Sequence, residues 1–132
     1  EKGVERRAME PVEDIVRRVV ERIAVGDDQQ IAVLLNNLGA VPPMEMDLIA
    51  NQVLSSSIGR RTKVLLGPAH VMTSLQMNGF SLSVLPLTDH WKDLLLQPVD
   101  PTSWPRAVEV PAPPAPLPLP DLPDTFRFDP SG

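Results

Sequence analysis

Two histidines, an asparagine pair and a Thr-Ser pair are the residues of this chain whose types could do chemistry. His70 follows an apolar run and precedes Val71, where an imidazole can serve as a general base or simply stand at a loop or strand edge. His90 stands beside Trp91 in the expected first turn of a helix, which reads as an exposed position. Neither has a second histidine or a carboxylate pair at metal-ligand spacing, so no metal site is expected. Asn36 and Asn37 end an apolar run. At the C-terminal edge of a strand they can hydrogen-bond a ligand or, equally, end the strand and shape the loop. Thr73 and Ser74 offer hydroxyls without a partner base in sequence, so neither reads as an activated nucleophile. Met44, Met46, Met72 and Met77 read as core filler. The chain contains no G-x-G-x-x-G, no G-x-x-x-x-G-K-[ST] and no G-x-S-x-G. It also has no cysteine, which excludes disulfides, zinc–thiolate sites and thiol nucleophiles and is compatible with a reducing cytoplasm.

Those residues need elements to position them. The run 31–35 is apolar at every position, which fits a strand covered on both faces, and Asn36, Asn37 and Gly39 suit the turn leaving it. Upstream, Val12, Ile15, Val16, Val19, Val20 and Ile23 make one helical stripe, with Pro11 at the first helical position and Gly26 just past the end. Glu13 precedes Arg17, and Asp14 precedes Arg18, by one helical turn, which gives a solvated, charge-paired face. Downstream, Pro42 and Pro43 open a second helix with Met46, Ile49, Ala50, Val53 and Ser57 inward and Gly59 as its stop. Arg60, Arg61 and Lys63 follow, complementing the helix dipole, and lead into the strand around Val64, Leu65 and Leu66. Gly67-Pro68 predicts a bulge or bend there. Asn78-Gly79 between apolar runs favours an antiparallel hairpin of 71–77 with 80–87, with a helical turn over 72–77 as the alternative. Thr88 or Asp89 caps a short helix through Leu96. The expected fold is α/β: a small mixed sheet, a parallel strand pair plus a hairpin, packed with helices.

Composition bounds the function classes. The chain has 132 residues, and eight of its 16 prolines lie after Arg106, so the folded part is expected to end near residue 106. The 107–132 tail is expected to be irregular, with polyproline II favoured. Within it, Thr125-Phe126-Arg127-Phe128 stands apart, because two aromatics could dock onto the domain. A net charge of −5 leaves no electrostatic footprint for nucleic acid or an anionic membrane. No apolar run approaches the roughly 20 residues of a membrane span, and no apolar h-region of a signal peptide follows Glu1.

Two phrases, LLNNLG and MTSLQM-NGFSLSVL, together resemble the second half of the substrate-binding (K) domain of dihydroxyacetone kinases. Asn36, Asn37, Leu38, Gly39, Glu45, Met72, Thr73, Ser74, Leu75, Met77, Gly79, Phe80, Ser81 and Leu82 match that family's VNNLG loop, its following Glu and its TSLEMxGFSLTLL. Trp104-Pro105 resembles the end of the domain, so the resemblance covers 1–106, and 107–132 takes the place of the linker to an ATP-binding (L) domain. Glu1 and Gly3 resemble the end of the family's G-x-H-G-E-x-G substrate loop. The histidine that holds substrate as a hemiaminal would then fall before Glu1. Pro42-Pro43, Gln76 in place of Glu, and a slightly longer 67–71 segment depart from the family pattern.

The resemblance implies part of a cytoplasmic, ATP-dependent dihydroxyacetone (glycerone) kinase, with Asn36, Asn37, Gly39, Thr73 and Ser74 as one wall of the substrate site. No catalytic residue of the family falls on this chain. ATP and Mg2+ belong to the parent enzyme, and this chain itself is expected to bind no cofactor. Its expected partners are the upstream half of the K domain and the L domain, with a homodimer allowed, and neither nucleic acid nor membrane. Two other readings stand beside it. One is an interaction module whose Pro113–Pro116 or Pro120–Pro123 spacing engages an SH3-like or WW-like domain. The other is a degenerate copy kept as a regulatory partner of a true kinase.

Overall fold

The computed structural model describes residues 11–71 and 76–112. Strand β1 (Ile31–Asn37) is its centre, and six of its seven residues are buried. Such burial needs cover on both sides, which is why the run is apolar without alternation. Strand β2 (Thr62–Ala69) lies parallel to β1 on one side, and β3 (Phe80–Pro86) runs antiparallel to it on the other. A short β4 (Ala107–Glu109) adds antiparallel to β2, giving the order β3-β1-β2-β4. The mixed sheet expected from the sequence is therefore present, with two differences.

The ladder partner of β3 is β1 along its whole length. Of the other expected hairpin arm, 72–75 lie outside the described residues, and Met77 bridges to Gly39 in parallel instead. The other difference is β4, which extends the sheet past residue 106. Ala107, Val108 and Glu109 precede the first proline of the tail, so their N–H groups remain available to an edge.

The two faces of the sheet are covered unequally. Helices α1 (Val12–Val20) and α2 (Pro43–Ser55) cover one face. Val16, Val20, Met46, Ile49 and Val53 pack there on Ile31, Val33 and Leu35. The opposite face, with Ala32, Leu34, Val64 and Leu66, meets Leu95 and Leu96 of α3 (Asp89–Leu96), with Leu87 just before it. Leu34 is accordingly the one position of β1 that is only half-buried.

Helix ends follow local chemistry. Pro11 and Pro42 sit at the N-caps, one residue ahead of the first-turn position expected for Pro11. Helix α1 stops at Val20, where turn bonds from Arg22 and Ile23 to Val19 and Val20 tighten the chain; Ile23 still reaches the core. On the outer face Arg17 hydrogen-bonds Asp14 and lies 3.9 Å from Glu21. Ser57 is exposed, beyond the end of α2, and Ile58 fills the place expected for it. Gly59 opens a 3-10 turn (Gly59–Arg61), and a Cβ there would lie 1.7 Å from the Leu54 carbonyl oxygen, so only glycine fits. Arg61 donates to the carbonyls of Val25 and Gly26, tying the α1–β1 loop to the start of β2. Thr88 Oγ1 accepts from the Trp91 amide at 3.2 Å and caps α3.

Candidate functional site

Because β1 and β2 are parallel, their carboxyl ends point the same way, and antiparallel β3 starts at that end. Two loops gather there, 37–42 after β1 and 70–79 between β2 and β3. This edge is where open α/β sheets hold ligands. The two motifs singled out in the sequence thus meet in space: Leu38 N–H donates to Gly79 O at 3.0 Å, and Ala40 N–H to Met77 O at 3.2 Å. Gly39 takes φ +126°, and a Cβ on it would stand 3.1 Å from the Gln76 Cα. Gln76 itself has φ +57°, a conformation few non-glycine residues adopt. The 76–79 backbone can therefore lie directly on the NNLG loop only because residue 39 has no side chain.

Asn36 and Asn37 are 1% and 3% exposed and point to opposite faces of β1. The Asn36 Oδ1 accepts the Val71 amide at 2.8 Å, and its Nδ2 donates to Ser81 Oγ at 3.3 Å. Its side chain pins both ends of the 70–79 loop. Asn37 works within its own loop: Oδ1 accepts from Gly39 N–H at 2.9 Å and Val41 N–H at 3.3 Å, and Nδ2 donates to Val41 O at 2.7 Å. The pair holds the two loops in register. Ser81 is the residue that sequence reasoning missed as a member of this constellation. Its signal was its place two residues after Asn78-Gly79, which sets it opposite Asn36 in the β1–β3 register.

Between β1 and β2 the register shifts after Leu34↔Leu66, so that Asn36 faces Ala69. Gly67 makes this irregularity, as expected, at φ +93°, where a Cβ would meet the Leu35 carbonyl oxygen at 2.4 Å. The extra residue carries the chain over to Val71 and the Asn36 side chain.

Thr73, Ser74, Glu1 and Gly3 lie outside the described residues. His70 is exposed at the end of β2, and His90 is exposed on α3 with its ring centroid 6.0 Å from that of Trp91. Among the described residues no group of three His, Asp or Glu side chains could hold a metal ion, and no helix is long and apolar enough to cross a membrane. Met44 and Met77, read from the sequence as core filler, are instead 77% and 52% accessible, and Leu48, one helical turn after Met44 on α2, is exposed as well.

A mixed α/β unit whose two loops lock together at the carboxyl ends of its parallel strands defines the class. The chain belongs to the Dak1 domain family, whose model matches residues 1–103. It is 35% identical over 96 residues to the dihydroxyacetone kinase of Citrobacter freundii, covering 71% of this chain and 17% of that protein. It is 37% identical over 114 residues to the dihydroxyacetone-binding subunit of a PTS-dependent dihydroxyacetone kinase of Listeria innocua, covering 79% of this chain and 33% of that subunit. The native C. freundii kinase structure superposes with a TM-score of 0.74 at 30% identity, over 93% of this chain and 23% of that one. Its complex with AMP-PNP and Mg2+ superposes with a TM-score of 0.73. The chain thus spans a third or less of the length of these relatives.

Proposed function

We propose that this chain is the second half of the substrate-binding domain of a cytoplasmic dihydroxyacetone kinase, which transfers a phosphoryl group to a terminal hydroxyl of dihydroxyacetone. The observation that carries the reading is the interlock of the NNLG and 76–79 segments at the ligand edge of the sheet, in a chain 35% identical to such a kinase. Residues 1–106 form the domain half, and 107–132 form the linker or tail, whose first residues stay attached to the sheet as β4. Asn36, Asn37 and Gly39 act as positioning residues: their own hydrogen-bonding groups hold the loop backbones that, with Thr73 and Ser74, make one wall of the substrate site. Glu1 and Gly3 end the substrate loop, and the upstream half of the domain supplies the nucleophilic histidine. Exposed Met44, Leu48 and Met77 mark the seam on which that half closes.

No step of phosphoryl transfer is assigned to this chain. We assign ATP and Mg2+ to a separate domain, in keeping with the AMP-PNP and Mg2+ complex of the C. freundii kinase. The Listeria relative is named as PTS-dependent, so the donor is the point at which the reading divides. The test is a coupled assay of dihydroxyacetone phosphate formation on the chain alone and on the chain mixed with the upstream half and an ATP-binding domain. The mixture should turn over with Mg-ATP and the chain alone should not. Turnover by the chain alone refutes the divided site, and an assembled mixture that fails with ATP refutes the ATP-dependent reading.

A further inference from the structure

The less covered sheet face carries an apolar cleft of about 180 Å³ between β1, β3 and α3, lined by Leu34, Leu66, Ser83, Leu85, Leu95 and Trp104. Leu85 and Trp104 remain 41% and 38% exposed. An apolar cavity of about 150 Å³ is enough to take a benzene ring. Beside the cleft, β3 ends the sheet, and among the described residues no strand pairs with its outer edge. The β3 side chains on this face include Ser81 and Ser83, opposite Asn36 and Leu34, and these small residues leave space above the edge.

We propose that the tail segment Thr125-Phe126-Arg127-Phe128 seats on this cleft along the free edge of β3, with Phe126 and Phe128 covering Leu34, Leu85 and Trp104. The sequence supplies a segment of the right kind in one place. Prolines interrupt the tail at intervals of three residues or fewer from Pro111 to Pro123, and only 124–129, ending at Pro130, offers six consecutive residues with backbone donors. In an extended segment alternate side chains share a face, so an extended 125–128 would put Phe126 and Phe128 on one face and Arg127 on the other. These are two of the three phenylalanines in the chain.

Reach permits the contact. Val110 N–H donates to Lys63 O, so the tail leaves at the end of the sheet where Ile31 pairs with both Thr62 and Pro86, the finish of β3. From β4 to β3 is three strand spacings, about 14 Å. The residues from Ala112 to Thr125 span about 40 Å at the polyproline II rise. The seat is separate from the paired loops, so this inference stands independently of the kinase reading.

The experiment is NMR on the full chain with labelled Phe, Leu and Trp. The expected result is contacts from the Phe126 and Phe128 rings to the Leu34 and Leu85 methyls. Phe126→Ser with Phe128→Ser should shift the Leu34, Leu85 and Trp104 signals and leave Leu35, on the other face, in place. Arg127→Ser should shift none of them. Ring signals at random-coil positions without such contacts overturn the proposal. Contacts that arise only between labelled and unlabelled chains in a mixture also overturn it, in favour of a second copy as the occupant.

Discussion

Asn37 spends every polar atom of its side chain on one loop, and this makes it the more informative of the two asparagines. Asn37→Ala strips partners from the Gly39 and Val41 amides and the Val41 carbonyl, two of them buried. A buried polar group left unsatisfied costs about 1–3 kcal/mol, so chemical denaturation should show a loss at or above the upper part of that range. A loss below about 0.5 kcal/mol, the size of an ordinary surface change, would mean that the loop holds itself. Gly59→Ala is the steric counterpart. Its Cβ would fall inside the Leu54 carbonyl, and overpacking of this kind typically costs about 1–3 kcal/mol or more. Thermal melting checks it, and an unchanged midpoint would show that the α2–β2 connection yields freely. The residue types here were legible in sequence: Asn-Asn-x-Gly names a strand end that needs unusual backbone. The partners were not, because Ser81 lies 45 residues from Asn36 and only the β1–β3 register brings them together.

Strand β1 was readable because its apolar run lacks alternation, and the structure adds that the two faces differ in cover. Leu35 is fully buried under α1 and α2, whereas Leu34 lies on the face that α3 only partly covers. With Phe126 and Phe128 both replaced by Ser, Leu35→Ala should therefore cost about 2–5 kcal/mol, and Leu34→Ala clearly less. Equal losses in parallel denaturation curves would contradict this account of the two faces. The amides of Val33 and Leu35 should also be among the slowest to exchange. Periodicity could not reveal β4, because three residues set no period, and its pairing with β2 depends on where α3 returns the chain. Lys92 of α3 bonds Glu109 of β4, and that hydrogen bond raises the Lys92 pKa above its ordinary 10.5. A raised lysine pKa contributes stability that is present at neutral pH and lost as pH climbs through the folded-state value. Because the pair is exposed, its contribution is small. Lys92→Met should thus loosen β4 in exchange experiments at pH 7 with little change in global stability. A large global loss would instead make β4 part of the core. The asparagine–glycine pair at 78–79 marked a reversal correctly in kind, while the partner strand proved to be β1, since a local turn signal does not specify which edge a strand finds.

At the scale of the whole molecule, the sheet is fully covered on one face, more sparsely covered on the other, and carries its paired loops at an edge with exposed methionines. The paired-loop edge is the feature that suits the proposed closure against more protein. The family was legible from LLNNLG and the 72–85 phrase, because such loops are constrained residue by residue, Gly39 by the Gln76 backbone and Asn37 by three hydrogen bonds. The sparser cover of the second sheet face was not legible, since it depends on how far α3 reaches across Leu34 and Leu66. The most direct measurement grafts residues 1–106 of this chain in place of the matching segment of the C. freundii kinase and follows dihydroxyacetone phosphate formation. The expected result is a folded chimera that phosphorylates dihydroxyacetone with Mg-ATP and whose rate falls when Asn37→Ala is added. A chimera that folds and binds nucleotide yet forms no dihydroxyacetone phosphate would contradict it.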